Sequence, residues 1–170
     1  MSYKLYGVLS NLAYKKHRPK KLWGYEKEEE TPEHVLYHNP TTKHSIISIR
    51  GTDNLDDVLT DIQTPFKDTQ RHKKELDFYD EMNKKYKNIS LTGHSLGGNL
   101  ADYITKQRKN TNSVVFNPFI IGDASTRTKI LKTPLDPASI LTSSEKKSLI
   151  GQQKDKSSHT INQFAGLIEE

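Results

Sequence analysis

Apolar positions along this chain change their period several times, and the changes mark out strands alternating with helices. His34–His38 is a short run of strand-forming residues, and Asn39-Pro40 turns the chain into a second, Ser45–Arg50. Leu55, Val58, Leu59 and Ile62 then recur at i, i+3, i+4 and i+7, which predicts a helix over Asn54–Ile62. A longer helix is expected over His72–Tyr86, where Leu76, Tyr79, Met82 and Tyr86 make a stripe. Asn88–Thr92 reads as a strand, Leu96–Lys109 as a helix, and Ser113–Phe116 and Lys129–Lys132 as two more strands. Pro134–His159 has little periodicity and is expected to be a long ordered loop or short helices, before a terminal helix over Thr160–Ile168. Strands separated by helices pair in parallel through crossovers. The expected fold class is therefore α/β, a mostly parallel sheet with helices on both faces. No repeat or linker divides the 170 residues, a length that suits one domain, 1–170.

Composition narrows the chemistry. The chain has no cysteine, which excludes disulfides, a thiolate nucleophile and any Cys-ligated metal cluster. No run approaches the roughly 18–20 apolar residues that span a bilayer. The first residues lack the charged-then-apolar pattern of a secretory signal, so a cytoplasmic protein is expected as synthesised. The net charge of +5 raises a nucleic-acid reading. Against it, the basic residues fall in short lysine-rich blocks broken by acidic ones, notably Glu26–Glu30 and Asp53–Asp61. No helix-turn-helix, zinc-finger or RNP-like pattern is present. The surface reads as solvated lysine, not as a nucleic-acid face, and leaves open a peripheral contact with anionic lipid headgroups. Nothing in the pattern specifies an oligomeric state.

The chemistry concentrates in Gly93-His-Ser-Leu-Gly97, set between an apolar strand pattern and a helical one. Gly-x-Ser-x-Gly at a strand-to-helix turn is a nucleophile elbow, which exposes a serine hydroxyl at the carboxyl end of a sheet. The glycines belong there because strand and helix approach too closely for a Cβ. The helix N-terminus offers N–H groups to a developing oxyanion. Such folds supply the partners in the order Ser, acid, His. Of the seven histidines only His159 follows Ser95, so His159 is the base. His94 adjoins the serine but points elsewhere, in a structural role. Asp136, which follows the last apolar strand and precedes Pro137, is the favoured acid, and Asp123 the second choice. Asp102, two helical turns past Ser95, is expected to be carried away from the site.

Together these residues resemble the class 3 lipases, the fungal-type branch of the α/β-hydrolase superfamily. Ser48–Ile62, with Arg50-Gly51-Thr52, is similar to the family's Arg-Gly-Thr/Ser segment, and Gly93–Gly98 to its nucleophile motif. Asn11–Tyr14 resembles the N-terminal helix. The resemblance implies a compact α/β-hydrolase fold with a Ser95, Asp136 and His159 triad. It implies an oxyanion hole from the N–H groups of Thr52 and Leu96, an Arg50–Asp61 pair that holds the loop, and a lid starting at Asn54–Ile62. No cofactor or metal is implied. Val58 stands where many members carry a lid tryptophan, and the chain is shorter than typical members. The expected activity is hydrolysis of lipid carboxylic esters. A small-ester esterase, an acyltransferase and a non-catalytic lipid-binding protein of the same fold are the competing readings.

Overall fold

The computed structural model describes residues 3–52, 70–120 and 122–132. The helix expected at Asn54–Ile62, the stretch Pro134–His159 and the terminal helix at Thr160–Ile168 lie outside the described residues. Within them the order is α1 (Tyr3–Leu12), β1 (Lys21–Leu22), β2 (Tyr25–Glu30), β3 (His34–His38), β4 (His44–Ile49), α2 (Gln70–Lys85), β5 (Asn88–His94), α3 (Leu96–Gln107), β6 (Asn112–Phe116) and β7 (Thr128–Leu131). The seven strands form one sheet in chain order. β1 to β4 are joined antiparallel, whereas β4 to β7 run parallel.

Each face of the sheet is closed by helices. On one, Leu5, Tyr6 and Leu9 of α1 pack with Val35, Tyr37, Ile46, Val114 and Phe116. On the other, Tyr79 and Met82 of α2 and Leu100, Ala101 and Ile104 of α3 pack with Leu36, Ile47, Ile49, Leu91 and Val115. Alternate residues of one strand thus serve opposite cores, as in Ile46 and Ile47, which is why the central strands read as continuous apolar runs. Burying one such side chain contributes about 1.5–3 kcal/mol.

Two strands were not anticipated from the pattern. β2 carries Glu26–Glu30, an acidic block in the sequence, yet it pairs along β3. Only Tyr25 is fully buried and the last three glutamates face solvent. Its charges are matched locally, with Lys27 Nζ 2.6 Å from Glu30 and Lys21 Nζ 2.7 Å from Glu26. The β1–β2 turn takes Trp23 and Gly24 to positive φ (44° and 82°), the backbone of a tight two-residue hairpin. The N-terminal helix lies mostly upstream of the segment that suggested it. α1 ends at Leu12, and Ala13 and Tyr14 form the turn after it.

Because β4, β5 and β6 are parallel, their carboxyl ends lie side by side, with Ile49 opposite Gly93 and His94 opposite Phe116. Ligand sites in open α/β sheets form outside this edge. Arg50-Gly51-Thr52 leaves β4 there and Ser95 leaves β5 there.

Candidate active site

Ser95 occupies the joint between β5 and α3 with φ 56° and ψ −122°. An L-residue pays on the order of 1–3 kcal/mol to sit in such a sparsely populated region. The surroundings hold it. Ser95 N–H donates to the Phe116 carbonyl at 3.1 Å, and the Ser95 carbonyl accepts from the N–H groups of Asn99 and Phe119. The side chain is buried, and its Oγ makes no hydrogen bond among the described residues. A buried hydroxyl left without a partner is an expense that folds seldom carry without a use.

The flanking glycines are set by close approach. A Cβ on Gly93 would stand 2.4 Å from the Gly97 backbone, and one on Gly97 would stand 2.1 Å from the Ile49 carbonyl oxygen. The elbow motif is therefore a packing requirement between β4, β5 and α3. Gly97→Ala is expected to cost more than about 3 kcal/mol or to block folding, since backbone on both sides must move. Gly7→Ala in α1 meets only ordinary contact with Phe116 at 3.5 Å and gains helix propensity, so it should hold or raise the melting temperature. Comparing the two melting curves checks this.

Across the sheet edge, Thr52 and Leu96 line a single cleft of about 780 Å³ together with Glu33, Arg50, Gly51 and Lys74. The loop that brings Thr52 there is tied to the elbow through Tyr14. Gly51 N–H donates to Tyr14 Oη at 3.1 Å, and Tyr14 Oη lies 3.2 Å from the His94 carbonyl oxygen and 3.3 Å from His94 Nδ1. His94 is buried edge-on against the Tyr14 ring, the structural position expected of it. Arg50 is half-buried, its guanidinium carbon 5.9 Å from the centre of the Tyr14 ring. On the cleft wall, Lys74 hydrogen-bonds Glu33 and holds that carboxyl below the usual carboxylate range.

The carboxylates sort as follows. Asp102 is buried along α3, where it accepts from the Ser125 N–H (2.8 Å) and Thr128 Oγ1 (2.6 Å) and pairs with Lys106 (2.8 Å). It fastens β7 to α3, away from the elbow. Asp123 is exposed in the connection between β6 and β7. Asp136, His159 and Asp61 lie outside the described residues. Reasoning from the pattern missed a buried network beside the site, His34, Glu75 and Arg71. Its signal was present: His72, Glu75, Tyr79 and Met82 follow helical spacing, which places polar residues on the buried face of α2.

A family model described as phospholipase-like, the Tle-like phospholipase domain, matches residues 9–119. The chain belongs to that family. The match takes in Thr52 and the whole elbow and stops before Asp136 and His159. No curated protein matches the sequence. Among solved structures, the Lip2 lipase from Yarrowia lipolytica aligns with a TM-score of 0.50 at 18% identity, covering 71% of this chain and 58% of that one. The nonglycosylated form of the Yarrowia lipolytica LIP2 lipase aligns at 0.52 and 21%, covering 68% and 57%. The likeness establishes the fold, an α/β-hydrolase sheet of the expected class. This member of the phospholipase-like family spans less than three fifths of the length of those lipases.

Proposed function

We propose that this chain hydrolyses carboxylic esters of lipids through a covalent acyl-enzyme, with Ser95 as nucleophile, His159 as base and Asp136 as acid. The observation that carries the reading is the strained, buried Ser95, whose Oγ has no hydrogen-bond partner among the described residues, set at the sheet edge that also carries Thr52 and Leu96. His159 takes the hydroxyl proton as Ser95 Oγ attacks the acyl carbonyl. The N–H groups of Thr52 and Leu96 hold the oxyanion, Leu96 with the help of the positive end of α3. His159 then returns the proton to the leaving alcohol, and water repeats the sequence to free the acid. A lipid ester as substrate is supported by membership in a phospholipase-like family.

The choice of Asp136 over Asp123 is supported by where the described chain ends. β7 ends at Leu131, opposite Phe116 on the elbow's edge of the sheet. In the sequence Asp136 follows Lys132 by four residues.

The test is a substrate series: a soluble short-chain ester, a triacylglycerol emulsion, and neutral and anionic phospholipid vesicles. Turnover is expected to rise when lipid ester is presented as an interface and to be higher on anionic vesicles. Salt should weaken that preference, because lysines near an anionic surface contribute about 1 kcal/mol each. Cleavage confined to the soluble ester, with no step at the aggregation point, would make the chain a small-ester esterase. Vesicle binding without cleavage of any ester would make it a non-catalytic lipid-binding protein.

A further inference from the structure

Beside the loop that carries Thr52 lies a network that the chemistry above does not use, the buried Glu75 and His34 with the half-buried Arg71. Glu75 of α2 is 1% exposed, and its carboxylate is shared. One oxygen lies 2.9 Å from His34 Nδ1, and the other accepts from Arg71 Nε at 2.7 Å. His34 is as deeply buried and stacks on Phe78 at 3.7 Å. Ions taken out of water repay their desolvation only with good geometry, and a well-packed apolar group often serves stability as well or better. The neighbouring apolar cluster of α2 could accept one. A role other than stability is therefore worth seeking in what Arg71 holds.

The remaining donors of Arg71 grip the ends of two strands. Nη2 donates to the Arg50 carbonyl at 3.0 Å and, at 3.4 Å, to the Glu33 carbonyl. Nη1 stands 3.6 Å from the Glu33 carboxylate. The Arg50 N–H donates to the same Glu33 carbonyl at 2.8 Å, just beyond the last rung of β3 and β4. The nitrogen side of the next peptide group, Gly51 N–H, donates to Tyr14 Oη. The peptide group joining Arg50 to Gly51 is thus held at its oxygen by Arg71 and at its nitrogen by Tyr14. Thr52 is the next residue, and the Gly51 between is buried against Tyr14 Oη and the His94 carbonyl oxygen, where a Cβ would stand 2.5 and 2.7 Å away. With that peptide plane fixed, only Gly51 itself can alter where the Thr52 N–H points.

We propose that Arg71, anchored by Glu75 and His34, is a positioning residue for the oxyanion hole: it aims the Thr52 N–H by locking the Arg50–Gly51 peptide plane. This rests on the reading of Thr52 as an oxyanion donor. It requires an arginine, since one planar fork reaches Glu75 from Nε and the Arg50 carbonyl from Nη2, which a lysine cannot do.

The full chain is compared as wild type, Arg71→Lys, Glu75→Gln and Arg108→Gln. The last breaks a forked pair with Asp80 outside the cleft and serves as a stability control. For each, kcat and KM are measured on a soluble short-chain ester, with the melting temperature and the hydrogen exchange of the Gly51 amide. A misaimed oxyanion donor weakens contact with the transition state more than with the bound ester. Arg71→Lys is expected to lower kcat about 10- to 100-fold with KM within about twofold, and to speed Gly51 exchange at least about tenfold. Glu75→Gln should move both in the same direction by less, and it carries the test if Arg71→Lys does not fold. Arg108→Gln should lower the melting temperature and leave kcat unchanged. The proposal is overturned if Arg71→Lys behaves like Arg108→Gln, or if Gly51 exchange does not change. Should wild type cleave neither the soluble ester nor any lipid ester, the reading of Thr52 fails by itself, and the exchange data alone decide whether Arg71 locks the joint.

Discussion

Ser95→Ala is expected to reduce ester turnover by roughly a million-fold while the protein stays folded. The size follows from the mechanism: without the hydroxyl no acyl-enzyme forms, and base and acid have nothing to activate. Folding should survive because the Ser95 Oγ makes no hydrogen bond among the described residues, so its removal breaks none there. The positive φ of 56° is a strain that alanine shares with serine, so the backbone energetics change little. A matched melting curve beside a lost rate separates chemistry from stability. A variant that kept most of its turnover would remove Ser95 from the mechanism.

Asp136→Asn should be the next most damaging, lowering turnover by about four orders of magnitude with the fold intact. An amide in place of the carboxylate favours the wrong imidazole tautomer on His159 and no longer stabilises its protonated form. Asp123→Asn should matter far less. The comparison is informative because the two flank β7 in the sequence. Asp123 precedes it, exposed in the connection from β6, whereas Asp136 follows it, and β7 ends at Leu131 on the edge where Ser95 sits. Initial rates and melting temperatures of the two variants decide it, and the reverse ranking would reassign the acid to Asp123.

The parts of this molecule that could be read in advance are those whose causes are local. Strong β-formers and a helical stripe announced β3 to β6, α2 and α3 to within a few residues, because burial on both faces leaves a continuous apolar run in the strand itself. The elbow was legible for a related reason: Gly93 is demanded by the close approach of β5 and α3, which follow one another in the chain, and the spacing of Gly93, Ser95 and Gly97 is a local motif even though Gly97 meets the distant end of β4. β2 was hidden because only Tyr25 is fully buried, so its glutamates resemble a solvated loop. The network of His34, Glu75 and Arg71 was hidden differently. His34 and Glu75 are 41 residues apart and meet only once β3 has packed under α2. A polar residue on the buried face of a helix shows that a partner exists, but not which one. Tyr14 is similar, since its bonds to Gly51 and His94 link three segments that have no sequence relation.

The most direct measurement is covalent. The intact wild-type chain and its Ser95→Ala variant are treated with a fluorophosphonate, which reacts with a serine only where a base and an oxyanion hole activate it, and the adduct is located by peptide mass spectrometry. A single adduct on Ser95 in the wild type, and none in the variant, is the result expected of the nucleophile at this elbow. An unlabelled wild type that still cleaves esters, or an adduct on a different serine, would contradict it.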